Sequence, residues 1–211
     1  MTRSLDSYEE YWQEWIEPWE RLALLRVRPV AGDDELGGRF ADRARHWNRT
    51  KPVDEETLIS LRHMKQRIES ERAAQESGTI DVKLGPGGLN DIEFTVQWLQ
   101  LRHGAIAPTA LTPHTFEGIE RLWCCGILSE EEYIHLQQAY VFTRRVDSRL
   151  RLLDPSAPAL LPKSGRELDV LTKSLRYQTS DAATGAELID RYQSHATRVR
   201  EILEKRFMGT G

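Results

Sequence analysis

The chain has 211 residues, 39% of them hydrophobic, with 29 basic and 33 acidic side chains and a formal charge of -4. That length can bury a substantial core, and the slight acidic excess excludes any general electrostatic pull toward nucleic acid or an anionic membrane surface. No apolar run approaches a membrane span and no signal peptide is recognisable, so the expected location is cytoplasmic.

Helical signals follow one another along the chain. A first helix is expected from about Leu5 to Arg26, with Tyr8, Trp12, Trp15, Trp19 and Leu22 on one stripe and a kink at Pro18, where a backbone donor is missing. The aromatic stripe either enters the chain's own core or docks on another domain. Pro29 to Asp34 interrupts, a short helix is expected through Phe40 and Ala44, and His46 to Pro52 reads as a polar loop. Asp54 then caps a second long helix carrying Leu58, Leu61, Met64 and Ile68.

The most distinctive stretch is Asp81-Val-Lys-Leu-Gly-Pro-Gly-Gly-Leu-Asn-Asp-Ile-Glu-Phe94. Ile80, Val82 and Leu84 alternate with Asp81 and Lys83 in the period of a strand, and Gly85, Gly87 and Gly88 permit a tight turn. A lone strand leaves backbone groups unpaired, so the segment is expected to stay a wet loop or to join the sheet of another domain. Asn90 and Glu93 have the spacing of a capping box that opens a helix from Asn90 to His103. Two functional readings stay open. The glycines make either a structural turn before a capped helix or an anion site at a helix amino terminus, although neither phosphate-loop spacing is present.

That helix carries two apolar rows, Ile92, Val96, Leu99 and Phe94, Trp98, Leu101, so it is expected to be buried on most sides. Asn90, Glu93, Gln97 and Gln100 form a polar stripe, with Asp91 and Thr95 a shorter one. Burying Glu93 unpaired would be costly, so Lys83 or an arginine from elsewhere is its expected partner.

Downstream, Thr112 and Pro113 are expected to open a helix that Gly126 closes. Cys124 and Cys125 are adjacent, unsuited to an ordinary disulfide and without histidines at zinc-site spacing, and read as buried small side chains. Ser129 and Glu132 make a capping box for a long helix ending before Pro155, on which Arg144, Arg145, Arg149 and Arg151 read as a solvated or salt-bridged cluster. Asp154 to Pro162 is expected to be a proline-rich loop, Lys163 to Tyr177 to hold one short helix, and Ala183 to Met208 the last long one. The fold class expected is therefore all-α, an elongated antiparallel bundle of about six to seven helices with one glycine-rich extended segment. It is expected as a single domain over 1–211 with a sub-boundary near 154–163.

Two blocks carry a family resemblance. Asp81 through Gln97 looks like a signature of the bifunctional glutamine synthetase adenylyltransferase/adenylyl-removing enzymes, in the helical domain that follows each nucleotidyltransferase domain. Trp19-Glu-Arg-Leu-Ala-Leu-Leu-Arg26-Val-Arg28-Pro-Val-Ala-Gly-Asp33 is similar to the segment just after that family's catalytic core. The family's metal-binding carboxylates lie in a Gly-Ser followed by spaced aspartates, an arrangement this sequence does not contain. The resemblance thus implies a fragment of a larger enzyme with no catalytic residue or metal ligand of its own. Mg²⁺ and ATP are expected in the parent and no cofactor in this chain alone. The implied partners are the preceding nucleotidyltransferase domain, glutamine synthetase and the PII signal protein.

Lys83, Glu93, Asp91, Arg26 and Arg28 are the candidate residues, near a nucleotide or supporting a domain junction, with Gly85, Gly87 and Gly88 as the structural turn. Two other readings compete. One is a stand-alone module that binds glutamine synthetase or the PII protein without catalysis. The other, the related helical region of the PII uridylyltransferase, is disfavoured by the Trp-Glu block.

Overall fold

The computed structural model describes residues 4–71, 78–154, 159–176 and 184–208. Among these the chain forms nine α-helices, one short 3-10 turn and one two-stranded antiparallel sheet, so the all-α class expected from the sequence is observed with more helices than the six or seven expected. The chain divides into two compact units, residues 1–66 with 96–128 and residues 67–95 with 129–211. None of the divisions falls near 154–163.

In the first unit, α1 (Leu5–Glu14) begins at Ser4, whose hydroxyl accepts from the Ser7 N–H at 3.2 Å. The helix expected to run on to Arg26 stops at Glu14, and α2 (Pro18–Leu25) starts afresh with Pro18 in its first turn. Proline's missing N–H costs nothing at a helix start, whereas in the interior of one long helix it would remove a hydrogen bond. Glu20 holds the elbow, accepting from the Glu17 N–H at 2.9 Å and from the Tyr11 hydroxyl at 2.8 Å. The break splits the tryptophan stripe. Trp12 is buried with Leu24 and Ala44, while Trp15 and Trp19 are 69% and 54% exposed.

α3 (Asp34–Thr50) continues through His46–Thr50, which reads as a loop in sequence, because Ala41, Ala44 and Asn48 fall on one face and are buried. Its Phe40 ring meets Tyr8 edge-on at 5.0 Å and Trp12 at 5.6 Å. α4 (Glu55–Glu71) is capped by Asp54, as its sequence predicts, through the Thr57 N–H at 2.8 Å.

α5 (Leu89–His103) contributes its first residues to the second unit and the rest, from Val96, to the first. Both of its apolar rows are buried. Gln100, expected on the polar stripe, is buried too and donates to the carbonyls of Ala110 (2.7 Å) and Thr112 (3.2 Å). α6 (Thr115–Cys124) packs on α5 at Gly118, where a Cβ would stand 2.7 Å from Val96 Cγ1. Its cap position is His114 rather than Thr112, which instead donates its hydroxyl to Glu117. Cys124 is exposed and Cys125 half-buried, both free, which corrects the buried reading: Ile119 and Leu122 occupy the core face, and the cysteines fall at the helix end.

The second unit is built on α7 (Glu130–Leu153), α8 (Arg166–Arg176) and α9 (Gly185–Met208) around Val82, Val146, Leu161, Leu171, Leu188 and Tyr192. The expected capping box opens α7: Ser129 Oγ accepts from the Glu132 N–H at 3.2 Å, and the Glu132 carboxylate accepts from the Ser129 N–H at 2.9 Å. Arg144 and Arg151 pair with Asp147 at 3.7 and 3.0 Å, the salt-bridge set read for that cluster.

β1 (Thr79–Asp81) pairs antiparallel with β2 (Leu160–Pro162), Ile80 opposite Leu161 and Thr79 opposite Pro162. This corrects the unpaired-strand expectation and places a strand at the end of the stretch read as a proline loop. A strand this short tolerates Pro162 at its end, where no ladder donor is required. Residues 155–158 and the expected helix limits Tyr177 and Ala183 lie outside the described residues. No helix among the described residues is long and apolar enough to cross a membrane.

Candidate functional site

The glycine turn is built by hydrogen bonds that its own sequence supplies. The Asp81 carboxylate accepts from the N–H groups of Lys83 (2.9 Å) and Leu84 (2.8 Å), the side-chain-closed turn that aspartate favours. The chain then folds back, Gly88 donating to the Gly85 carbonyl (2.9 Å), Leu89 to that of Val82 (3.0 Å) and Asn90 to that of Lys83 (2.9 Å). Gly87 adopts φ 71°, and a Cβ there would stand 2.1 Å from the carbonyl oxygen of Ala196 in α9. A Cβ on Gly88 would stand 2.7 Å from the Val82 carbonyl oxygen. Both glycines are therefore required by close backbone approach.

The helix is capped by a different residue from the one the spacing suggests. Asn90 lies inside α5, and Asp91 reaches back to accept from the Gly87 N–H at 2.8 Å. Its carboxylate is 1% exposed and meets Arg200 of α9 at 3.4 Å. Arg200 also donates twice to Glu69, at 2.6 and 3.1 Å, and once to Glu204, at 2.7 Å. The Glu69 hydrogen bonds, against the opposing effect of burial, hold the Arg200 guanidinium above its ordinary pKa. A buried carboxylate, a backbone amide and a guanidinium shared among three carboxylates thus lock the turn, the start of α5 and α9 together.

Lys83 is exposed, Glu93 is half-buried, and no ion pair joins them among the described residues. A cation that meets Asp91 at the start of α5 is Arg200, which sequence reasoning missed along with Glu69. The available signal was the i,i+4 spacing of Arg200 and Glu204 beside the buried Val199 and Leu203. Arg26 and Arg28 belong to the first unit, both exposed, and line a groove of about 970 Å³ where the chain passes from α2 to α3.

A second missed group is Glu132, 4% exposed, to which Lys205 donates at 3.1 Å and Arg206 at 3.0 Å, with a second bond from Arg206. Burial would raise its pKa, but these cations and the Ser129 amide win and hold the carboxyl at about 2.

The glycine turn does not fit a nucleotide phosphate, because the amides of Gly87, Gly88, Leu89 and Asn90 already donate within the protein. Nor does the acidic cluster fit a magnesium ion, since the carboxylates of Asp91, Glu69 and Glu204 converge on one guanidinium. The hydrogen bonds present are those of a structural turn.

The family model described as GlnD PII-uridylyltransferase matches residues 62–207, and the one described as Glutamate-ammonia ligase adenylyltransferase matches residues 1–43. Similar proteins include the bifunctional glutamine synthetase adenylyltransferase/adenylyl-removing enzymes of Streptomyces avermitilis (34% identical over 209 residues), Streptomyces coelicolor (35% over 209) and Mycobacterium avium (34% over 211). Each alignment covers 98% of this chain and 21% of the relative, so the chain spans about one fifth of their length. The longer family match bears the uridylyltransferase name, but the relatives run through both matched segments, the Trp-Glu block included. The chain belongs to the glutamine synthetase adenylyltransferase family, of which it is a helical region.

Proposed function

We propose that this chain is a supporting helical domain of a glutamine synthetase adenylyltransferase, assisting ATP-dependent adenylylation of glutamine synthetase and its phosphorolytic reversal. The observation that carries this reading is the similarity along 98% of the chain to enzymes that bear that name. In this reading a nucleotidyltransferase domain of the parent holds ATP and Mg²⁺, and glutamine synthetase and the PII signal protein are its partners. Arg26, Arg28 and Lys83, all exposed, support the junction with that domain, while Asp91 and the glycines keep the signature turn in shape. The locked turn favours support over chemistry, since its amides and carboxylates are spent on the fold.

The test is adenylyl transfer from labelled ATP to glutamine synthetase, by this chain alone and by the chain joined to the nucleotidyltransferase domain of a relative. Incorporation is expected only in the joined form, weakened by Arg28→Ala or Lys83→Ala. Transfer by the chain alone would overturn the proposal. Capture of glutamine synthetase by the chain, with no effect on transfer in the joined form, would favour the stand-alone module.

A further inference from the structure

Arg28-Pro29-Val30-Ala31-Gly32-Asp33 leaves α2 and turns into α3 along the groove of about 970 Å³ in the first unit. Tyr8, Val27, Leu36 and Phe40 give this groove an apolar lining. Its wall is built tightly: a Cβ on Gly37 of α3 would stand 2.7 Å from the Pro29 Cβ, so the turn is seated directly on the helix. The groove is therefore preformed.

Its charge is one-sided. Four guanidinium groups, of Arg26, Arg28, Arg39 and Arg43, line it against the carboxylates of Asp6 and Asp33. Both carboxylates are committed, Asp6 to Arg43 at 2.7 Å and Asp33 to the Leu36 N–H at 2.8 Å. Arg28 and Arg39 are exposed and make no ion pair among the described residues. Guanidinium groups match carboxylates in paired hydrogen bonds, and two of them above an apolar floor select for an anion that is also hydrophobic. A compact phosphate ligand is better served by an enclosed pocket with converging amides, whereas an open groove suits a peptide segment.

We propose that this groove docks an acidic protein segment with apolar side chains set between its carboxylates, the apolar groups entering the floor and the carboxylates meeting Arg28 and Arg39. The inference rests on the groove alone and does not require the adenylyltransferase reading; where that reading holds, the segment and the nucleotidyltransferase domain compete for Arg28.

The test is fluorescence anisotropy with a labelled synthetic peptide of glutamate and leucine, titrated with the full chain, beside a peptide of equal charge with serine replacing every leucine. The leucine peptide is expected to bind saturably and less tightly at high salt. The pair of reversals Arg28→Glu and Arg39→Glu should weaken it by roughly tenfold or more, and Leu36→Ser should weaken it at unchanged charge. Lys173→Glu, in the other unit, should leave it unaltered. The substituted side chains are exposed, so an unchanged circular-dichroism melt is the expected check on folding. Equal binding of the two peptides, or indifference to the Arg28 and Arg39 reversals, would overturn the proposal. Displacement of the peptide by Mg-ATP, with ATP binding lost in the same variants, would also overturn it and make the groove a nucleotide site.

Discussion

Gly87→Ala probes the locked turn most sharply. Two costs combine at this position. The φ of 71° is strained for any residue with a Cβ, by roughly 1–2 kcal/mol. The added methyl would also stand 2.1 Å from the Ala196 carbonyl oxygen, 2.5 Å from its carbonyl carbon and 2.5 Å from its Cα. These are backbone atoms of α9 that no rotamer change can move, so the turn must lift from the helix. Overpacking of this kind costs roughly 1–3 kcal/mol more and strains the Asp91 bond to the Gly87 amide. Gly126→Ala is the internal control: Gly126 has the same φ of 71° and nothing within 4 Å of its would-be Cβ. Urea unfolding followed by circular dichroism should therefore give a loss of roughly 1–2 kcal/mol for Gly126→Ala and roughly 2–5 kcal/mol for Gly87→Ala. Equal losses would refute the argument, because the close approach to α9 would then contribute nothing.

Arg200→Met removes the guanidinium that meets the buried Asp91 at 3.4 Å and should cost roughly 2–4 kcal/mol in the same assay, with Glu69→Gln in the same chain recovering part of it. Glu132 makes stability depend on acid. Because its folded pKa is held below the ordinary 4.5, at about 2, the stabilisation is complete above about 4.5 and is lost as pH falls toward 2. That fall corresponds to at most roughly 3 kcal/mol, which screening at the exposed Lys205 lowers to roughly 1–2 kcal/mol. Glu132→Gln should be less stable at neutral pH and should flatten the acid slope, measured as urea midpoints between pH 5.5 and 2.5 in roughly half-unit steps. In the folded protein Cys124 should be alkylated by a maleimide faster than Cys125, because the first is exposed and the second half-buried.

What the sequence made legible was local. The Asp54 and Ser129 caps could be read because donor and acceptor lie three residues apart, and the buried row of α9, Leu188, Tyr192, Val199 and Leu203, because helical spacing alone defines it. Pro18 was ambiguous locally, since a proline can kink one helix or begin another. The Glu20 contacts that decide the matter involve Tyr11 on the preceding helix. The continuation of α3 to Thr50 depends on tertiary burial of Asn48, a residue whose composition argues for a loop. The β1–β2 pairing joins residues some eighty positions apart, and Arg200 reaches Asp91 across 109 positions, so neither leaves a periodic trace. The candidate site divides the same way. The glycines and Asp91 were recognisable as a turn and a helix start, but the cation that completes them was not.

If the signature turn serves the fold, with its amides already spent, it takes no nucleotide by itself. Calorimetric titration of the chain with ATP and Mg²⁺ decides this, with Lys83→Ala titrated in parallel. No saturable heat is expected from either protein. Saturable binding that Lys83→Ala abolishes would contradict the claim and make the glycine turn a nucleotide site after all.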